Sequence, residues 1–153
     1  MSNAPQRNVV KARESGFGPF GQYINVGHHI LGADEPGTYG GQDTGPDPFE
    51  LVMAGLGACT TMTIRMVAGR KKIALKEVSV EVRHLRAPPM SMGADPATAE
   101  EKPHAFERIV TLTGDLSADD RVFLIAMADK CPVHKLLEGE AEIITREAVA
   151  EAA

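Results

Sequence analysis

The sequence predicts an α+β domain with the element order β-β-α-β-β-α-α-β, and three observations predict it. The first is Gly45–Gly69 (GPDPFELVMAGLGACTTMTIRMVAG), in which the 14 residues Leu51–Ile64 carry no charge. The second is Leu75–Leu85, where Val78, Val80 and Val82 alternate with Glu77, Ser79, Glu81 and Arg83, the period of a half-buried strand. The third is Ser117–Gly139, a capped helix broken at Lys130-Cys131-Pro132 and followed by a short second helix. At 153 residues the chain is expected to form a single domain, 1–153, with a core of its own.

Taken in order, residues 1–6 are polar and expected to fray. Val9–Arg13 and Gln22–Leu31 have strand content and flank the Gly-rich Glu14–Gly21, which reads as a hairpin with a long turn. Ala33–Pro46 is dense in Gly, Pro and Asp and reads as a surface loop. The long helix then starts on strong signals. Asp47 caps, Pro48 suits the first helical position, and Glu50 stands where a capping-box acid reaches back. Gly69 supplies a stop, and Arg70-Lys71-Lys72 suits the negative end of the helix dipole. Because this helix is apolar or small on every face, it is expected to be buried rather than amphipathic.

Ala87–His104 contains four prolines and reads as a long loop. Phe106–Thr113 is a strand ended by Gly114, and Ser117 with Asp120 resembles a capping box opening a helix to about Lys130. Val122, Ile125, Ala126 and Ala128 or Asp129 define the faces of that helix, the apolar one toward the core. Pro132 starts a short helix to about Glu138, closed by Gly139, and Ala141–Arg146 reads as a final strand. One small sheet covers only one side of the long helix. Ala54, Gly55, Gly57 and Ala58 leave room for a second copy, so a homodimer is expected.

Composition excludes several classes. The net charge of −5 argues against nucleic-acid binding, which favours a basic face. No basic, then apolar, N-terminal segment signals secretion, and a 14-residue uncharged run holding Gly and Thr is short and polar for a bilayer. Two cysteines 72 positions apart do not make a secreted disulfide framework. A soluble cytoplasmic protein without membrane attachment is the expectation. Gly37–Gly41 lacks the spacing and basic residue of a phosphate loop, and no serine sits in a Gly-x-Ser-x-Gly elbow, so no cofactor is signalled.

The candidates for chemistry are the two thiols. A mid-helix cysteine such as Cys59 is by itself an ordinary small core residue. Cys131 adds weight, since it precedes a proline that starts a helix, where unpaired amides lower a thiol pKa. His134 forms a Cys-x-x-His with Cys131, but that supplies two ligands where a structural zinc site takes four, so no metal is expected. His134 reads as an ordinary short-helix residue.

Asp47-Pro48-Phe49-Glu50-Leu51, Cys59 nine residues after Glu50, and the distant Cys131-Pro132-Val133 resemble the osmotically inducible protein C / organic hydroperoxide resistance (OsmC/Ohr) family, in a divergent OsmC-like branch. The likeness covers nearly the whole chain. It implies an intertwined α+β homodimer with paired central helices and a thiol peroxidase acting on organic hydroperoxides in oxidative-stress defence. By the same resemblance Cys59 is the peroxidatic and Cys131 the resolving cysteine, reset by a dithiol reductant of lipoyl type. The family also supplies an arginine from the N-terminal hairpin and a glutamate early in the central helix, for which Arg13 and Glu50 are the candidates. The family glutamate most often follows the proline directly; here that place holds Phe49, with Glu50 next. The alternative reading is a non-catalytic dimeric protein that holds a small lipophilic ligand in an apolar pocket around Cys59.

Overall fold

The computed structural model describes residues 9–86 and 104–148. The expected frayed start, 1–6, and nearly all of the expected loop 87–104 lie outside them. The described residues group into two compact units, one up to Ala54 and the other from Gly55 onward, with one long helix running from the first into the second.

The first unit is a three-stranded antiparallel sheet, β1 (Val10–Glu14), β2 (Gln22–Val26) and β3 (His29–Ala33), in that spatial order. The stretch Gln22–Leu31 is thus two strands rather than one. Gly27 adopts φ 61°, a left-handed conformation that costs glycine little, and Val26 pairs with His29 across this tight turn. The loop after β3 is built around the buried Asp34 carboxylate. It accepts from the Glu35 amide at 2.8 Å, the Gln42 and Thr44 amides at 3.2 Å, and the Thr44 hydroxyl at 2.8 Å. The Thr44 hydroxyl and these amides hold the Asp34 carboxyl below its ordinary pKa, against the opposing effect of burial.

Helix α1 spans Pro48–Lys71. Its start is the expected capping box: the Glu50 amide donates to Asp47 Oδ1 at 2.8 Å, and the Asp47 amide donates to Glu50 Oε2 at 2.9 Å. Its end differs from the expectation. Gly69 stays helical, and Lys72 turns left-handed at φ 55° instead. The Lys72 amide then reaches Gly69 O at 3.2 Å and the Ile73 amide reaches Ala68 O at 2.9 Å, the double bond of a Schellman motif. With a mean hydropathy of 1.5, α1 is by length and composition long enough to cross a membrane, which the uncharged run alone understates. Its Ile64 and Ala68, however, are sealed against Leu75, Leu112, Leu124 and Ala128, as in a core helix.

The second unit adds a two-stranded antiparallel sheet, β4 (Leu75–Arg86) with β5 (Ala105–Gly114). Val78 faces Leu112, Val80 faces Val110 and Val82 faces Arg108. The three valines are half-buried while Glu77, Ser79, Glu81 and Arg83 are exposed, as the alternation requires. Gly57 lets α1 approach this sheet, since a Cβ there would stand 3.3 Å from Val82 Cγ2. Part of the small-residue stretch therefore serves packing within the chain.

Helix α2 (Ala118–Met127) starts on the expected Ser117–Asp120 capping box. Its buried residues are Leu124 and, just beyond its end, Ala128, whereas Val122 is 72% exposed and Ile125 is also exposed. The core face is thus rotated from the one the sequence suggested, because Leu124 and Ala128, four apart, meet Ile64. A single tight turn, Ala128–Lys130, leads to Cys131 and then to α3 (Pro132–Lys135), continued by a wide turn over Leu136–Glu140. Gly139 closes it at φ 116°. The expected final strand is not formed: residues 141–148 pair with no described strand, and Ile143 and Ile144 stand exposed. Strand-forming side chains alone do not make a strand, and this segment forms no hydrogen-bonded ladder among the described residues. On α1 itself Met62 is 69% exposed and Met66 is exposed too, so the helix is buried on one face rather than all round.

Candidate active site

Cys59 lies mid-way along α1 and is half-buried; Cys131 lies at the corner between α2 and α3 and is fully buried. Both are free thiols, near enough for each to shift the acidity of the other. The chain folds this way locally because proline excludes the α-helical conformation at Cys131, ending one helix, while its fixed φ starts the next. Pro132 has no N–H, so the next amides, Val133 and His134, are first-turn donors lacking a helical acceptor. They lie near the sulfurs and favour negative charge there, although neither forms an aligned side-chain cap.

The two thiols are pushed apart in acidity. Burial raises the Cys59 pKa, and the neighbouring Cys131 raises it further, against smaller lowering effects from the Val133 amide and the Thr63 hydroxyl. Burial also opposes ionisation of Cys131, but there the combined interactions with Cys59, the His134 amide, the Thr60 hydroxyl and the Val133 amide prevail, and its pKa is lowered. The two thiols titrate as a coupled pair, with Cys59 shifted upward and Cys131 downward.

Arg108, on β5, is the cation that contacts the chain on either side of Cys131. Its side chain is 13% exposed. One terminal nitrogen donates to Ala128 O at 2.8 Å and Thr60 Oγ1 at 3.2 Å; the other reaches Asp129 Oδ1 at 3.0 Å and His134 Nδ1 at 2.8 Å. His134 Nε2 stands 3.2 Å from Glu138 Oε1. A neutral imidazole protonated on Nε2 satisfies both contacts. Beside these residues is a cleft of about 230 Å³ with Leu56, Phe106 and Leu137 on its apolar side and His104, Arg108 and His134 on its polar side.

The sequence missed Arg108. The signal was present: Phe106, Arg108, Val110 and Leu112 share one face of β5, so a cation occupies an inward place in an apolar row. Arg13 and Glu50, the other two candidates, lie in the first unit. The Arg13 guanidinium stacks over the Tyr23 ring at 5.0 Å, and the Glu50 carboxylate is engaged in the capping box. They form no ion pair with each other.

A buried thiol coupled to a more exposed one, on an α+β scaffold with a long helix, defines a two-cysteine thiol protein. A sequence profile for the OsmC-like protein family matches residues 41–146, and the chain belongs to that family. The fold agrees. An OsmC-like protein from Mycoplasma pneumoniae superimposes with a TM-score of 0.67 at 18% identity, covering 86% of this chain and 87% of that one. An organic hydroperoxide resistance protein OsmC from Legionella pneumophila gives a TM-score of 0.60 at 26% identity, covering 86% and 88%. The organic hydroperoxide resistance protein OhrB of Bacillus subtilis gives 0.54 at 22%, covering 86% and 90%. A search of curated protein sequences returns no match.

Proposed function

We propose that this protein is a thiol peroxidase that reduces organic hydroperoxides in oxidative-stress defence. The observation that carries the reading is the pairing of a half-buried Cys59 with a buried Cys131, each of which shifts the acidity of the other. The Legionella pneumophila relative's description as an organic hydroperoxide resistance protein supports it. In the proposed cycle the pair's proton passes to Cys131, and the Cys59 thiolate attacks the outer peroxide oxygen. The O–O bond breaks, the alkoxide takes a proton and leaves as an alcohol, and Cys59 becomes a sulfenic acid. The Cys131 sulfur then attacks Cys59, forming the disulfide and releasing water. A dithiol of lipoyl type exchanges with that disulfide, leaving both thiols reduced and itself oxidised.

The proposal includes a cytoplasmic homodimer through α1, which the exposure of Met62 and Met66 supports. It keeps Arg13 and Glu50 as the residues that the family resemblance assigns to thiolate activation. The second reading, a lipophilic-ligand carrier, has weaker support, because the described cleft is lined by Arg108 and His134 rather than by Cys59. The test is steady-state turnover of cumene hydroperoxide with dihydrolipoamide as reductant. Wild type turns over and Cys59→Ser does not; equal rates for the two, or none for wild type, overturn the reading.

A further inference from the structure

We propose that Arg108 is the positioning residue of the thiol pair: it fixes Thr60 beside the Cys131 sulfur and ties down both ends of the corner that carries Cys131. The proposal rests on the reading of Cys59 and Cys131 as a redox pair, though its test does not depend on activity toward a hydroperoxide.

The contacts of the guanidinium bracket Cys131 in the chain. Ala128 O and the Asp129 carboxylate lie before it, and His134 lies after it. Arg108 thus spans from the last turn before the proline break to the first turn after it, from a rigid strand of the sheet. Without such a tie, the corner is held by a short helix of four residues, Pro132–Lys135, and helices that short have little stability of their own. The fourth contact reaches α1. Thr60 is fully buried, its hydroxyl donates to Leu56 O at 2.8 Å, the same oxygen accepts from Arg108, and the hydroxyl is among the groups that lower the Cys131 pKa.

A hydroxyl has one hydrogen and two lone pairs. With Arg108 taking one lone pair, the Thr60 hydrogen is left to turn between the Leu56 carbonyl and the Cys131 sulfur. It serves the carbonyl while Cys131 is a thiol and the sulfur when Cys131 is charged.

A substrate-binding role for Arg108 fits the contacts less well. Four of its five N–H donors are already engaged by protein oxygens and by His134. A plain core role fits no better, since an inward place between Phe106 and Val110 takes an apolar residue without the cost of burying a charge. The charged and titratable groups around Cys131 in this unit are Cys59 from α1, Arg108 from β5, and Asp129 and His134 of the corner, with Glu138 on His134. Asp129 is 69% exposed and pairs with the guanidinium at 3.0 Å. Lysine cannot replace the planar fork that makes four bonds in fixed directions.

The test uses the full chain with Arg108→Met and Arg108→Lys. The readouts are the thiolate absorbance titration of Cys131 in a Cys59→Ser background and the rate of Cys59–Cys131 bond formation with diamide. Circular dichroism checks the fold. Arg108→Met is expected to raise the Cys131 midpoint by about one pH unit, an order of magnitude in thiolate fraction below both midpoints. It should also slow disulfide formation by about threefold, because the greater nucleophilicity of the more basic sulfur offsets part of the lost thiolate fraction. Arg108→Lys is expected to restore most of the midpoint and little of the disulfide rate. If Arg108→Met is unfolded, Arg108→Lys decides alone through its disulfide rate. A folded Met variant with both readouts as in wild type overturns the proposal, as does a Lys variant with the wild-type disulfide rate. Neither readout uses a hydroperoxide, so a wild type inactive on peroxides refutes the proposed function and leaves this inference standing.

Discussion

Thr60→Val removes a single oxygen from the centre of the site and keeps the side-chain shape. That oxygen donates to Leu56 O at 2.8 Å, accepts from Arg108 at 3.2 Å, and is a hydrogen-bonding neighbour of Cys131. A hydrogen bond to a charged group contributes about 1.5–3 kcal/mol and a neutral one about 0.5–1.5 kcal/mol. Leu56 O keeps its helical amide, and the methyl that replaces the hydroxyl recovers about 0.8 kcal/mol. The expected net loss is about 1–4 kcal/mol, read by urea unfolding.

The pH dependence gives the sharper reading. Cys131 has a lowered pKa in the folded protein, so its thiolate stabilises the fold above the unfolded thiol value. That contribution is lost as pH falls through the folded value. Thr60 acts on Cys131 in this sense, so the stability gap between wild type and Thr60→Val should be widest above about pH 8.5 and narrow on acidification. The Cys131 thiolate titration should move upward in the variant. A gap that does not change with pH, together with an unmoved titration, refutes the proposed coupling of Thr60 to the sulfur.

The remaining predictions concern the same pair and two backbone features. Cys131→Ser removes the neighbour that raises the Cys59 pKa, so the pH midpoint of Cys59 alkylation should fall; Cys59→Ser removes an interaction that lowers Cys131, whose midpoint should rise. Iodoacetamide rates against pH for Cys59, and thiolate absorbance for Cys131, check both signs. Lys72→Gly should raise stability by roughly 0.5–1 kcal/mol in denaturant unfolding, because relief of about 1–2 kcal/mol of left-handed strain outweighs the entropic cost of glycine. Asp34 has a lowered carboxyl pKa, so its stabilisation is present above the ordinary value of 3.8 and is lost as pH falls through the folded one. Asp34→Asn should therefore lower the melting temperature at neutral pH, with the difference from wild type shrinking in acid.

The parts of the fold that could be read in the sequence are those fixed by local chemistry. Asp47-Pro48-Phe49-Glu50 and Ser117 with Asp120 carry capping boxes in three or four residues, and β4 announces itself by valine alternation. What stayed hidden depends on distant partners. Nothing near Lys72 marks it for the left-handed turn that glycine usually takes, and Gly27 reads as a strand residue until His29–Ala33 folds back. The orientation of α2 turned on Leu124 meeting Ile64, a contact 60 positions away in the chain. Ala141–Arg146 has strand content but no described partner strand, and content without a partner does not make a strand.

The candidate site divides in the same way. Cys131-Pro132 shows its place at a helix start in two adjacent residues. Arg108 is intelligible only once β5 lies beside α1 and the α2–α3 corner. Its inward place in the Phe106–Leu112 row was a usable clue, because a charge on an apolar face needs partners.

The central claim is that Cys59 and Cys131 react as one unit with a hydroperoxide. The most direct measurement treats the reduced protein with one equivalent of cumene hydroperoxide, blocks residual thiols and maps disulfides by mass spectrometry. The account predicts an intrachain Cys59–Cys131 disulfide with one equivalent of cumyl alcohol released, and in Cys131→Ser a Cys59 sulfenic acid instead. Two free thiols beside unconsumed peroxide would contradict it.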